Sequence, residues 1–146
     1  MDSATSNDWL LLGLPPIRSV EIGALVYASL FGLAHLLVVA QFSRQQYGLK
    51  WIGSARDEPK PPMTGVGGRL ERAYRNWLET FPVFVAAVAA VELSGAGDQW
   101  SAWGAAAYLW GRALYVPLYA AGVPVVRGLV WNVPTLGIIA MFVSLF

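Results

Sequence analysis

The sequence predicts an all-α integral membrane protein, an up-down four-helix bundle, on three observations: its composition, four apolar runs of spanning length, and short turns between the later runs. Hydrophobic residues fill 56% of the 146 positions and charged residues only 13%, against about 45–50% and 25% in soluble domains. A helix crosses the hydrocarbon core in about 20 residues, and the runs over 20–42, 68–93, 100–119 and 123–146 are of that length. They use up most of the chain, which therefore reads as a single transmembrane domain, 1–146. Cysteine is absent, excluding disulfides, thiolate metal ligands and a protein thiol nucleophile.

Ahead of the first run stands Trp9-Leu10-Leu11-Leu12, stopped by Pro15-Pro16, a composition suited to a segment lying at the interface. The acidic start, with Asp2 and Asp8, lacks the basic region of a secretory signal, so the first helix is expected to be retained. Glu21 opens that helix as a boundary residue. His35 within it reads as a hydrogen-bonded bundle residue, because there is no second histidine and no adjacent acid to share a metal. The connection over 43–67 holds Pro59, Pro61, Pro62 and several glycines and reads as the long loop. The turns over 94–98 and 120–124 are short, which makes the helices they join antiparallel neighbours. In the fourth helix, Asn132 stands close to Pro134 and is placed to satisfy carbonyls that the proline frees.

Charge orients the bundle. Arg44, Lys50, Arg56, Lys60, Arg69, Arg72 and Arg75 lie on the loop side, whereas the other side has Arg18 against Asp2, Asp8, Glu21, Glu92 and Asp98. The positive-inside rule places the loop in the cytoplasm and both termini outside, across the inner membrane if the cell is bacterial. Membrane lipids are then the surroundings, and no nucleic-acid partner is expected.

Polar chemistry enters with the second helix. Arg72, Asn76 and Glu79 sit at i, i+4 and i+7, one helix face, and 83–91 beyond them is almost purely apolar. Ionisable groups at such depth cost roughly 2.5–3.5 kcal/mol each and are kept where they face protein, water or ligand. The third helix answers with Tyr108, Arg112, Tyr115 and Tyr119 on one face, and the fourth with Arg127 in its first turns. All three sets reach the cytoplasmic half and can converge on one pocket. Guanidiniums bind carboxylates bidentately, and a glutamate among them can hold an ammonium, so a small zwitterion with several carboxylates suits the lining. Two plainer roles compete: Arg72 and Glu79 satisfying one another, and Arg69 and Arg75 snorkelling to the interface. Arg112 needs a carboxylate or carbonyls, which an ion pair with Glu79 or a ligand would equally provide. Tyr108 reads as structural, facing deeper into the bundle.

The run Arg72-Ala73-x-x-Asn76-x-x-Glu79 followed by Phe81-Pro82 resembles the second-helix signature of the MAPEG family, the membrane-associated proteins in eicosanoid and glutathione metabolism that include the microsomal glutathione transferases. Tyr108-Leu109-Trp110-x-Arg112-x-x-Tyr115-x-x-x-Tyr119 also resembles that family, and Arg127 falls close to its catalytic arginine; together the similarity covers 64–133. The resemblance implies a homotrimer of four-helix subunits with glutathione bound between neighbours and open to the cytosol. It implies glutathione-binding roles for Arg72, Asn76, Glu79, Tyr115 and Tyr119, with Arg112 beside them, and thiolate stabilisation by Arg127. Arg44 loosely matches a basic residue at the end of the family's first helix. Thr80 departs from the pattern, standing where some members have a tyrosine, and the spacing from Tyr119 to Arg127 differs by one residue.

The implied chemistry is conjugation of a hydrophobic electrophile, or reduction of a lipid hydroperoxide, by a glutathione thiolate. A thiol of pKa about 8.5 is only about 3% ionised at pH 7, and a two-unit depression, worth about 2.7 kcal/mol, makes it about three-quarters ionised. One guanidinium at about 4 Å supplies on the order of 4 kcal/mol at an effective dielectric of 20, so a single arginine suffices. The family also includes a lipid-presenting member without catalysis, which leaves a non-catalytic lipid- or glutathione-binding protein as the alternative. A small drug exporter working through an intramembrane carboxylate fits less well, because Glu21 lies at the boundary and Glu79 is set among arginines.

Overall fold

A computed structural model describes residues 19–57 and 59–146; the interfacial segment expected over 9–16, with Asp2, Asp8 and Arg18, lies outside them. Four helices follow one another: α1 (Val20–Ile52), α2 (Gly65–Ser94), α3 (Gln99–Ala121) and α4 (Pro124–Val143). Among the described residues there is no strand. By length and composition α1, α2 and α4 can each cross a membrane. The 23 residues of α3 give it the length, while its glycines, tyrosines and Arg112 make it less apolar.

The helix bounds differ from the apolar runs in a way that has a physical cause. α1 continues past residue 42 to Ile52, and Gly48, at φ 77°, breaks it without ending it. Arg44, Gln45 and Gln46 are polar but good helix formers, so their polarity marks the exit from the membrane and not the end of the helix. The loop expected over 43–67 therefore shrinks to 53–64. Pro124 opens α4 at its first turn, where proline's missing N–H is no loss. Asp98 caps α3 in a reciprocal capping box with Ser101, each bond 2.9 Å long.

Cross-helix pairs establish the up-down order. Along α1 and α2, Gly32 faces Trp77, His35 faces Leu70 and Phe42 faces Gly67, so rising numbers meet falling ones. The same inversion holds for Phe84 with Tyr108 and Arg69 with Ala120 between α2 and α3, and for Gly104 with Gly137 and Gly111 with Pro134 between α3 and α4. α4 packs on α3 and α2, α1 packs on α2 and α3, and α1 does not touch α4.

In a membrane, helices associate through close packing and not through expulsion of water, which favours small residues at their contacts. A Cβ on Gly104 would stand 2.5 Å from the Gly137 carbonyl oxygen, and one on Gly111 would stand 2.7 Å from Pro134 Cδ; α3 and α4 are therefore in backbone contact. The core is built from Ala24, Ala28, Phe84, Ala87, Val88, Val91, Ala105, Tyr108, Ile138 and Met141. Glu21, expected at a boundary, is buried there and accepts a hydrogen bond from the Ser101 hydroxyl. His35 bonds the Leu70 carbonyl through Nε2 at 3.1 Å, the bundle role expected of it.

Candidate functional site

The polar site is organised around Asn76. Its side-chain oxygen accepts from Arg112 Nη1 at 2.7 Å and from Trp131 Nε1 at 3.1 Å, while its amide nitrogen donates to Glu79 Oε2 at 3.2 Å. One amide thus links α2, α3 and α4, and the two donors on its oxygen determine which way it faces. Arg112 is 1% exposed, held by Asn76 and by the Thr80 hydroxyl. The ion pair with Glu79 considered for it is not formed: Asn76 stands between the two, accepting from Arg112 and donating to Glu79, and Glu79 is exposed where Arg112 is buried. Tyr108 Oη lies 3.2 Å from Thr80 Oγ1, and its ring stacks on Phe84 with centroids 3.9 Å apart.

Beyond Arg112 the polar groups continue toward the basic end. Its guanidinium carbon stands 5.7 Å from the centre of the Tyr115 ring, Tyr115 meets Tyr119 edge to face at 5.4 Å, and the Arg127 guanidinium lies 4.3 Å from the centre of the Tyr119 ring. A cation over a tyrosine face is attracted by the ring quadrupole. The α3 and α4 residues named from sequence therefore meet: Tyr115, Tyr119 and Arg127 form one row, joined through Arg112 to Asn76.

The α2 residues divide. Asn76 is half-buried in the network, whereas Arg72 and Glu79 are exposed on the surface of the single chain. Arg69 does not snorkel freely but donates to the Ala120 carbonyl at 2.7 Å, capping the end of α3; Arg75 is exposed. Arg44 lies elsewhere, lining a cleft with Leu36, Leu37, Arg56 and Glu71 that includes none of the other predicted site residues. Asn132 donates to the Gly128 carbonyl at 3.0 Å, whereas the carbonyl that Pro134 frees, four residues back, is that of Val130.

Two participants were not assigned to the site from sequence. Trp131 follows Arg127 by four residues and so shares its helix face, a signal that the emphasis on charge passed over. Thr80 appeared only as a departure from a motif, yet it holds the buried guanidinium. The arrangement offers an inward hydrogen-bonded strut and an outward face carrying a cation and a carboxylate. Chemically it can hold an anion and an ammonium side by side, with a further guanidinium, Arg127, at the basic end.

A bundle of apolar helices with an intramembrane arginine–asparagine network defines the class, a polytopic α-helical membrane protein with a polar site. The match of the MAPEG family model to residues 24–146 gives the particular family: the chain belongs to the MAPEG family. The match extends over nearly all of the described structure, well beyond the stretch that carries the motifs. Comparison with curated proteins and with solved structures finds no match. Membership places the protein in membrane glutathione and eicosanoid metabolism in general.

Proposed function

We propose that this protein is a glutathione transferase of the membrane, conjugating hydrophobic electrophiles or reducing lipid hydroperoxides. The observation that carries the reading is the outward Arg72 and Glu79 on one face of a helix long and apolar enough to span the membrane, with Glu79 tied through Asn76 to Arg112 and the row continued by Tyr115, Tyr119 and Arg127. Charges left facing hydrocarbon are costly, so this face is half of a site. A ligand and a second copy of the chain, in a homotrimer, complete it.

The donor set fits glutathione. Arg72 is exposed and can take a carboxylate as a two-pronged donor, Glu79 is an acceptor for an ammonium, and Tyr115 and Tyr119 supply hydroxyls for the remaining polar atoms. Glutathione, when bound, supplies the thiol that this cysteine-free chain lacks. Arg127 holds negative charge at the sulfur, and its position beside Tyr119 fixes the guanidinium without neutralising it. The hydrophobic second substrate enters from the lipid side, where the bundle wall is apolar.

Ultraviolet titration of the purified protein with glutathione at pH 7 tests this reading. A thiolate absorbance band is expected in the natural protein, and Arg127→Ala should bind glutathione while losing about 25-fold in ionised thiol. Absence of a thiolate band in the natural protein overturns the arginine mechanism. Glutathione binding without turnover of either substrate class replaces the enzyme with a binding protein.

A further inference from the structure

The basic end of α1 carries a second feature, apart from the network around Asn76. Gly48, with φ 77° and ψ 164°, turns the chain so that the last residues of α1 fold back toward its own shaft. Ile52 and Arg56 consequently share a cleft of about 470 Å³ with Leu36, Leu37, Ala40 and Arg44, and Glu71 of α2 stands at its edge. The volume falls within the roughly 300–1,000 Å³ range of small-molecule pockets.

The cleft is layered by chemistry. Leu36, Leu37 and Ala40 belong to the apolar part of α1, polarity begins at Gln41, and Arg44 lies about 6 Å beyond Ala40 along the axis at 1.5 Å per residue. The headgroup zone on each side of a bilayer is about 5–8 Å deep. Hydrocarbon-level side chains thus line the floor, and guanidiniums stand at phosphate level. Arg56 is held in place by its backbone: at φ 63° it occupies the left-handed region, rare for a side chain of this size, and its Nη2 donates to the Ile52 carbonyl at 3.3 Å. Beside it, Lys60 Nζ lies 4.5 Å from the centre of the Tyr47 ring and 4.8 Å from that of Trp51, and the Arg56 guanidinium stands 5.2 Å from Trp51. Aromatic rings with basic groups at one level are the side chains that settle at a membrane interface and attract anionic lipid.

We infer that this cleft is a binding site for an anionic phospholipid, with the phosphate between Arg44 and Arg56 and the upper acyl carbons against Leu36 and Leu37. Charge selects the occupant: two guanidiniums and one carboxylate, Glu71, line the cleft, leaving an excess of positive charge that a zwitterionic lipid does not neutralise. The apolar floor selects a lipid over a free phosphate ester. The folded-back segment ending at Ile52 is the clamp, and its position depends on the glycine at the break.

Native mass spectrometry of the full-length protein, titrated in detergent with phosphatidylglycerol, phosphatidylcholine of the same chains, and free glycerol phosphate, tests the assignment. Each basic residue near an anionic surface contributes about a fivefold preference, so phosphatidylglycerol should be retained between about fivefold and thirtyfold better than phosphatidylcholine. Glycerol phosphate should not be retained. In the double variant Arg44→Gln/Arg56→Gln the preference should vanish, and in Leu37→Trp, which fills the floor and keeps the charges, retention of both lipids should fall. Equal retention of the two lipids by the natural protein overturns the inference, whatever the variants do. So does a disulfide cross-link between copies of the Leu37→Cys variant, which would show that a second chain fills the cleft.

Discussion

Arg112 and Arg72 stand on adjacent helices at the edge of one polar network, yet one is sealed inside the bundle and the other lies on its surface. Arg112 has Asn76 and Thr80 as partners and tyrosine rings on either side, whereas Arg72 is exposed. The difference separates a cation that holds the fold from one that is available to a ligand. Removing the first should therefore be the most damaging change in the region. Arg112→Ala leaves the Asn76 oxygen and the Thr80 hydroxyl short of a donor and opens a cavity, and a loss of about 2–5 kcal/mol is expected, measured by denaturation followed through helix content in detergent. Arg72→Ala should stay within about 0.5 kcal/mol of the natural protein while weakening glutathione binding by roughly 10- to 150-fold, the worth of a hydrogen bond to a charged group. Equal stability losses in the two variants would erase the distinction.

Much of this division could not be read in one dimension. The four helices were legible because apolar runs of spanning length have few other uses, and Tyr115 and Tyr119 were legible as a pair because they lie one helical turn apart on α3, with Arg127 brought near by the short turn into α4. The end of α1 was not, since leaving the membrane and ending a helix both appear as polar residues, and only Gly48 marks the break. The partner of Arg112 was equally hidden. Charge suggested Glu79, but Asn76 stands between the two, and the guanidinium takes its amide and the Thr80 hydroxyl instead. Thr80 shows the limit of reading by motif, because as a departure from the family pattern it drew no role of its own, yet it bonds the buried guanidinium.

A second comparison sets the α3–α4 contact against the open side of α4. At Gly104 a methyl group would meet the backbone oxygen of Gly137 at 2.5 Å and Met141 Cγ at 2.8 Å, whereas at Gly128 it would meet nothing within 4 Å. Backbone does not yield as a flexible side chain does, so Gly104→Ala should push the helices apart at a cost of about 1–3 kcal/mol. Gly128→Ala, in a helix interior with room for the methyl, should be neutral or stabilise by about 0.5–1 kcal/mol. Thermal inactivation of the pair in the same detergent measures the contrast, and a neutral Gly104→Ala would mean that the two helices are not in backbone contact.

A modest effect on both stability and binding is expected where the inner and outer regions join. Asn76 can hold Glu79 in place only while its oxygen stays turned inward, and two donors keep it so, Arg112 at 2.7 Å and Trp131 at 3.1 Å. Trp131→Phe keeps an aromatic ring in the contact and deletes the weaker donor. The loss in stability should be about 1 kcal/mol, and glutathione affinity should fall about fivefold, since the amide then turns more freely and Glu79 loses its fixed neighbour. Isothermal titration beside the denaturation measurement separates the two consequences. Should Trp131→Phe cost more stability than Arg112→Ala, the amide is anchored chiefly from α4, and the buried guanidinium would be the group being positioned instead of the group that positions.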